Sequence, residues 1–306
     1  MATYTNAALT SGAGGANLLP RNVAEGIWKR AQAGTIIPSL STSTPMILGE
    51  NTFPTLTKRP SASIVGEGAN KPDSVLEVGA KAIRPIKAVV GLEFTMEAVL
   101  TNPAGVLGLM TEELSSALAR QIDLAVLHGR EASSGAALTG GNEFINQTTN
   151  RVTLSPTNVD KSIWDGYGQV VNTAGGNFTG LALDPRLVYQ IANDRDDKGN
   201  RRNPDIQIGT AVTSYAGQQV AVTKGVSGQV DASADTGVRG FGGDWDSLRF
   251  GYNLSIPVKK IEYGDPFGNG DLQRRNAVAY LTEVIFGWVI MDKNSFVAYD
   301  AAPAGS

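Results

Sequence analysis

Few side chains in this sequence could perform chemistry. The 306 residues include one histidine and no cysteine, which excludes thiol nucleophiles, disulfides and thiolate metal sites. The histidine, His128, lies at the end of the longest helical pattern, "LMTEELSSALARQIDLAVLHG" (residues 109–129). An imidazole in this place could act as a general base, or it could interact with the last backbone carbonyls of its helix. We predict the second role, a C-terminal cap.

The acidic residues do not converge on one site. Glu112 and Glu113 are adjacent in the helical pattern, and adjacent helical side chains point roughly 100° apart, which favours a solvated face over a carboxylate pair. The stretch "DRDDKGN" (194–200) places Asp194 and Asp196 at the first and third positions of a calcium loop. A lysine stands where another ligand is required, so a polar turn is the better interpretation.

One glycine-rich stretch is similar in composition to a phosphate-binding loop. "GAGGAN" (12–17) lacks both a preceding strand and a following Lys-Ser/Thr pair, so we interpret it as part of an N-terminal arm. The sequence therefore predicts no catalytic, cofactor-binding or metal-binding residues, and no cofactor.

Composition narrows the class of protein further. Hydrophobic residues make up 42% and charged residues 18% of the chain, enough for a substantial core. The formal net charge of −3 gives no support to sequence-specific DNA binding, although it leaves room for a local patch that contacts nucleic acid. The N-terminus does not have the pattern of a signal peptide, and no apolar run reaches the roughly 18 residues of a membrane span.

Residues 52–94 are typical of extended structure. "ASIVGEGANKPDSVLEV" (62–78) is predicted to be a strand, a polar turn and a second strand, and clean alternation from Ile86 to Phe94 indicates a half-buried strand. Prolines in this segment exclude a central sheet position. A two-stranded hairpin alone is marginal in water, so this segment must lie on something else.

A long helix follows. Asn102 and Pro103 are typical of a helix start, and apolar residues then recur every three or four positions up to Ala125. A helix over 103–128 would be about 39 Å long. Its charged residues exclude a membrane span.

The second half of the chain mixes helices and strands. Residues 157–200 predict a helix, the strand "FTGLAL", and a helix capped by Asp184 with Pro185 following. Short strands follow at "QQVAVTK", "LRFGYN" and "IPVKKIEY", and the segment 276–300 is rich in strands, with a turn at "MDKN". The fold class is therefore α+β.

The order of these parts resembles the major capsid protein of tailed bacteriophages, the Hong Kong 97-like capsid fold. The resemblance covers about residues 18–300 in unbroken order. Its motifs are "ASIVGEGANKPDSVLEVGAKAIRPIKAVVGLEFTMEAVL", "PAGVLGLMTEELSSALARQIDLAVLHG", "LALDPRLVYQIANDRDDKGN", "FGGDWDSLRFGYNLSIPVKKIE" and "AVAYLTEVIFGWVIMDKNSFVAYD". They are similar to the family's extended loop, spine helix, axial strand–helix unit, Gly-Asp–aromatic strand and closing peripheral strands.

The resemblance implies a division of the chain into four parts. They are an N-terminal arm (1–34), a peripheral domain with the spine helix (35–51, 91–156 and 283–306), an extended β-loop (52–90) and an axial domain (157–282). It implies self-assembly into an icosahedral shell around viral double-stranded DNA, in the virion, after assembly in the host cytoplasm. The protein would not be an enzyme.

The implied partners are other copies of the chain, as hexamers and pentamers, a separate scaffolding protein, a portal, decoration proteins, and packaged DNA held without sequence specificity. No membrane is implied. Contacts between subunits are predicted for two sets of charged residues. The set on the loop is Lys58, Arg59, Glu67, Lys71, Lys81 and Arg84; the set on the spine helix is Glu112, Glu113 and Arg120.

Two departures from the family and two alternatives stay open. Only a short arm precedes "LLPRNVAEGI", where some members carry a scaffolding domain of their own. Some relatives join a loop lysine to a neighbour's asparagine, but Lys71 and Asn294 are common turn residues and do not predict such a crosslink. The alternatives are an encapsulin-type shell with a protein cargo and, from a different class, a carboxylate-based enzyme, which would need a pocket of converging acidic groups.

Overall fold

The computed structural model describes residues 34–43, 46, 51–58, 60–68, 70–101, 106–174, 177–207 and 211–302. The N-terminal arm before Gly34, the predicted helix start at Asn102 and Pro103, and the predicted contact residue Arg59 lie outside these residues. Within them the helices are α1 (Ile37–Leu40), α2 (Met96–Thr101), α3 (Val106–His128), α4 (Val159–Ala174) and α5 (Pro185–Asn193). The strands are β1 (Asn51–Lys58), β2 (Glu77–Ile83), β3 (Ile86–Thr95), β4 (Arg151–Thr153), β5 (Gly180–Leu183), β6 (Ser214–Tyr215), β7 (Gln218–Val222), β8 (Val238–Gly243), β9 (Leu248–Ile261), β10 (Ala277–Ile290) and β11 (Phe296–Asp300).

The described strands form three sheets. β1 and β2 make an antiparallel two-stranded ribbon, and β10 lies between β3 and β9 in a second, antiparallel sheet. The third sheet has six strands in the order β4-β11-β8-β5-β7-β6, with parallel pairs at β4–β11 and β5–β7. The α+β class predicted from sequence is confirmed.

The long helix α3 organises the main core, as its apolar spacing predicted. Met110, Leu114, Leu118, Ile122 and Ala125 are all buried, and they belong to one cluster that includes side chains from both larger sheets. Glu112 and Glu113 are exposed, as expected for the opposite face.

A second cluster lies on the other face of the six-stranded sheet. Helices α4 and α5 supply Ile163, Val170 and Leu187, which pack with Val297 and Tyr299 of β11. Helix α5 begins as predicted, with the Asp184 side chain accepting a hydrogen bond from the Arg186 N–H at 2.8 Å.

The two larger sheets are joined where the chain crosses between them twice. Trp245 follows β8 and is fully buried, with its ring edge-on to Phe296 at 5.5 Å. Beside it, the Asp244 N–H donates to the Ser295 carbonyl at 2.9 Å. This joint fixes one sheet relative to the other.

Three sequence predictions need correction. The predicted strands at "LRFGYN" and "IPVKKIEY" are one strand, β9, because an edge strand tolerates Pro257 where the register shifts. No strand forms at 62–66; the ribbon pairs 51–58 with 77–83, and the described residues between them are exposed. β3 is not part of the ribbon, because it pairs with β10 along its whole length.

The domain boundaries stay a prediction, and sheet pairing crosses them. β9 and the first half of β10 fall in the range assigned to the axial domain, yet they pair in the sheet that contains β3. β11 falls in the range assigned to the peripheral domain, yet it lies in the six-stranded sheet.

Two glycines of α4 provide a matched test of this packing. A Cβ on Gly166 would lie 2.5 Å from the Tyr299 ring, whereas a Cβ on Gly168 would meet nothing within 4 Å. We expect Gly166→Ala to lower the free energy of unfolding by about 1–3 kcal/mol. Gly168→Ala should raise it by roughly 0.5–1 kcal/mol, since alanine favours the helix. Urea denaturation measures both, and equal effects from the two variants would contradict the packing of α4 on β11.

Candidate functional site: the extended β-loop and the long helix

His128 has a structural environment and does not cap its helix. The side chain is 2% exposed, and Nε2 lies 2.9 Å from the Val226 carbonyl, which it reaches as a donor. Nδ1 then accepts from the Asn146 amide at 3.3 Å. The helix ends at Gly129 instead, whose φ of +63° and N–H bond to Ala125 make the cap. The capping prediction for His128 is therefore wrong.

The histidine is also a poor base. Burial lowers the pKa of His128 to about 4, although the bond to the Val226 carbonyl opposes the shift. The imidazole is thus neutral and enclosed at physiological pH, and both ring nitrogens are occupied. Its role is to tie the end of α3 to the turn Lys224–Ser227.

The "DRDDKGN" segment is a turn, as expected. The Asp196 carboxylate accepts hydrogen bonds from the N–H groups of Lys198 and Asn200, at 2.9 and 2.7 Å. Bonds from Asn200 hold the pKa of Asp196 below its usual value. Among the described residues no cluster of histidine, aspartate and glutamate could hold a metal ion.

The extended β-loop exposes apolar side chains that no other described residue covers. Ile64 is fully exposed at the tip, and Val75, Leu76 and Val78 are each more than half exposed. The segment 60–76 contains no regular secondary structure at its described positions. A ribbon of two strands has no second layer in which to bury these residues.

The base of the loop is firmly held. Ile83 is fully buried and packs with Met46 and Val289. Lys81 Nζ donates to Glu143 at 2.9 Å and to the Ile290 carbonyl at 2.8 Å. The loop therefore leaves the body of the subunit from a fixed root.

Glu143 is the centre of this root. Its carboxylate also accepts from Lys293 Nζ at 3.2 Å, and its backbone carbonyl accepts from the Trp288 indole at 2.7 Å. Partial burial raises the pKa of Glu143, but the bonds from Lys81 and Lys293 outweigh it and hold the pKa below its usual value. Sequence reasoning missed Glu143, since its partners are distant in the chain.

The predicted loop contacts divide into two groups. Lys58, Glu67 and Lys71 lie on the exposed surface of the loop, and Lys58 is 3.9 Å from Glu77 across the ribbon. Lys81 and Arg84 face their own subunit instead, because Arg84 donates to the Gly140 carbonyl at 3.4 Å. A contact with another subunit stays a prediction for both groups.

The predicted contacts on the long helix lie within about two turns of one another. Glu112 and Glu113 are exposed, whereas Arg120 is half-buried and lies 3.5 Å from Asp231. The Arg120 guanidinium also donates to Ser116 at 2.7 Å. Of these three residues, the two glutamates present the most accessible charge.

Known proteins share both the sequence and this architecture. Residues 15–301 match the phage capsid family. The chain belongs to the phage capsid family.

Individual relatives agree with the family match. The "Probable major capsid protein gp17" of Mycobacterium phage L5 is 26% identical over 90% of this chain and 86% of its own length. A solved structure from Gordonia phage Cozz is 58% identical, with a TM-score of 0.81 over 88% of this chain and 87% of its own. One from Mycobacterium phage Ogopogo is 28% identical, with a TM-score of 0.80 over 98% of this chain and 100% of its own.

The family match confirms the resemblance stated from the sequence motifs, and it makes this capsid chain a structural component of a phage particle. Capsid shells of this family assemble from many copies of one protein. The encapsulin alternative is not favoured. No described helix of the capsid chain has the length and apolar character needed to cross a membrane.

The single histidine of this capsid chain gives a direct test of the α3 terminus. We expect the His128 imidazole to titrate with a pKa of about 4 in the folded chain, against about 6.5 after unfolding. Because the folded pKa is depressed, its contribution to stability is complete above pH 6.5 and is lost as the pH falls through 4. The loss should be roughly 3 kcal/mol.

Proton NMR of the imidazole C–H resonances measures this pKa without assignment, since the chain has only one histidine. The urea-unfolded chain is the control. A folded-state pKa near 6.5 would contradict the burial of His128 and its bond to Val226.

Proposed function

We propose that the chain self-assembles into an icosahedral shell that encloses viral double-stranded DNA, and that it has no enzymatic activity. The observation that carries this proposal is the extended β-loop, with a buried root and an exposed apolar tip. A monomer gains nothing from holding apolar side chains in water at the end of a ribbon. A second copy of the chain that covers the tip would remove them from water.

Apolar burial would supply the strength of this contact. Burying a side chain such as Ile64 or Leu76 is worth about 1.5–3 kcal/mol. Each shell repeats the contact in every subunit, and head-to-tail contacts of this kind close into rings by rotation. The root at Ile83 and Lys81 would set the direction of the loop and therefore the register between copies.

Opposite charges on the loop and on the long helix would guide two copies of the chain toward each other. Residues 51–90 contain six basic and three acidic side chains, so the loop is positive within a chain of negative net charge. Glu112 and Glu113 are exposed acidic residues of the long helix, whereas Asp123 on the same helix is buried. Exposed pairs contribute only about 0.2–1 kcal/mol each, so they would bias register and rate more than final stability.

The enzyme alternative lacks support in the described residues. Glu112, Asp123 and Asp231 line one cavity, but Asp123 is bound by Ile36 and Asp231 is paired with Arg120. The one histidine is enclosed by its two partners. A separate scaffolding protein, a portal, decoration proteins and assembly in the host cytoplasm belong to the same proposal. They rest on family membership alone.

The test is to purify the full chain and measure its assembly. Sedimentation velocity should show particles far larger than a monomer, and negative-stain images should show closed shells. Particles from infected cells should contain DNA, whereas protein-loaded shells would favour the encapsulin alternative. Monomers alone, at high concentration and with the phage's own scaffold supplied, would overturn the proposal.

Replacing the apolar side chains at the tip of the loop should weaken assembly without unfolding the subunit. We expect Ile64→Ser with Leu76→Ser to raise the subunit concentration required for assembly by about a hundredfold or more, from the two lost burials. The control, Ile64→Val with Leu76→Ile, keeps the apolar surface and should assemble normally. Light scattering measures assembly, and circular dichroism confirms folding. Normal shells from the serine variant would show that the tip is not an assembly contact.

Salt should slow assembly through the loop charges. The distance over which charges interact in solution, the Debye length, is about 8 Å at physiological ionic strength and about 3 Å at molar salt. We expect the assembly rate of the wild type to fall as salt rises, and Arg59→Glu with Lys71→Glu to assemble slowly at every salt concentration. Light-scattering kinetics across a salt series distinguish the two chains. Identical curves that do not depend on salt would show that the loop charges do not guide assembly.

A further inference from the structure

One buried carboxylate lies where the described chain begins. Asp123, in the last quarter of α3, is 1% exposed. Its Oδ1 accepts a hydrogen bond from the Thr35 hydroxyl and a second from the Ile36 N–H at 3.1 Å. Two donors of one short segment thus converge on a single oxygen, 88 residues away along the chain.

The segment that Asp123 binds is the connection between residues 1–33 and the core. A Cβ on Gly34 would lie 3.2 Å from the Ala119 side chain, so the backbone there runs close against α3. Just beyond, Ile37 is fully buried in the main core, and the Ser41 hydroxyl donates to the Leu248 carbonyl at 2.5 Å. Among the described residues, which begin at Gly34, Asp123 is therefore the first buried side chain to which the N-terminal end is anchored.

An open cavity adjoins this anchor. A cavity of about 800 Å³ separates α3 from the turn that follows β7, and Gly34 and Asp123 both line it. A small movement of residues 34–36 would open the carboxylate to this space. The anchor is thus enclosed when it is closed, and hydrated as soon as it opens.

The groups around Asp123 leave its charge uncompensated. Thr223, after β7, also donates a hydrogen bond to the carboxylate. Burial, and to a lesser extent the negative charge of Asp123, raise the pKa of the Tyr252 hydroxyl of β9. The charged residues that line the cavity are Glu112 and Arg120 on α3 itself, and Lys224 and Asp231 on the segment that faces it. Arg120 is already engaged by Asp231. Burial dominates over the three hydrogen bonds and raises the pKa of Asp123 to about 7.

We propose that Asp123 is a proton-operated latch that holds Thr35 and Ile36, and with them the junction of the N-terminal residues, against the long helix. The hydrogen bonds from Thr35, Ile36 and Thr223 favour the ionised carboxylate, but burial without a contacting cation disfavours its charge more strongly and favours the protonated form. An ionised carboxylate in the same place is short of compensating charge. The latch is closed with its proton bound and opens more readily when the proton leaves.

The direction of the pH effect on opening follows from the difference in the pKa of Asp123 between the closed and open states. The closed state binds the proton with a pKa of about 7, whereas a hydrated aspartate binds it with a pKa near 3.9. Raising the pH from about 4 to about 7 therefore favours opening progressively, and above that range the effect levels off. Between pH 6 and pH 8.5 the opening equilibrium should increase by about tenfold.

Hydrogen exchange of the full chain tests this directly. We expect the amides of residues 34–41, after correction for intrinsic exchange, to open about tenfold more often at pH 8.5 than at pH 6. Asp123→Asn keeps an acceptor and a donor without a charge, so its opening should be independent of pH over this range. Asp165→Asn, an exposed aspartate of α4 paired with Lys161, is the control for the loss of one charge and should behave as the wild type.

A second variant keeps the test decisive if Asp123→Asn does not fold. Thr35→Val removes one donor to the carboxylate, so opening should be more frequent than in the wild type, and its rise with pH should extend to a higher pH. Opening that does not change with pH in the wild type, or that changes equally in Asp123→Asn, would overturn the latch. The measurement does not depend on assembly, so it stands or falls separately from the proposed shell.

Discussion

A two-stranded ribbon cannot bury its own apolar side chains, and this constraint determines how the molecule is organised. The extended β-loop carries Ile64 and Leu76 into water at its far end, while its near end is buried at Ile83. Everything that fixes the root, from the Lys81–Glu143 pair to the packing of Val289, serves to hold an incomplete structure in one direction. The loop becomes a complete structure only when another surface covers it.

The rest of the fold provides a rigid base for the loop. The apolar stripe of α3 joins side chains from both larger sheets in one core, and the paired crossings at Trp245 and Phe296 keep the sheets from moving independently. His128 fastens the end of α3 to the turn after β7, and Asp123, about one turn earlier, fastens the N-terminal junction to the same helix. The long helix is thus the element to which the loop-bearing sheet, the six-stranded sheet and the N-terminal segment are all attached.

Local patterns predicted the elements of this fold well, and long-range contacts were harder. The spacing of Leu114, Leu118 and Ile122 predicted the buried face of α3, and the Asp184-Pro185 pair predicted the start of α5, because each signal is contained within a few residues. The membership of strands in sheets depends on partners far along the chain. For example, β4 and β11 pair in parallel although about 145 residues separate Arg151 from Phe296. No local sequence pattern predicts this pairing.

The candidate site shows the same division. Exposed charge at Glu67 and Lys71 could be anticipated from their polar surroundings, and the apolar tip from the absence of a second layer. The burial of Asp123 could not be anticipated. An aspartate on a helix with other acidic residues is expected to face solvent, and its partner Thr35 is distant in the sequence. Likewise, the two partners of His128 come from segments 18 and 98 residues away, so its sequence position suggested a cap.

The most direct test is a cryo-electron microscopy reconstruction of the assembled particle at a resolution that shows side chains. The loop of each subunit should lie on an adjacent copy, with Ile64 and Leu76 buried by it, while Ile83 and Lys81 keep the contacts they make here. A particle in which these tip residues lie against their own subunit, or face solvent, would contradict the account.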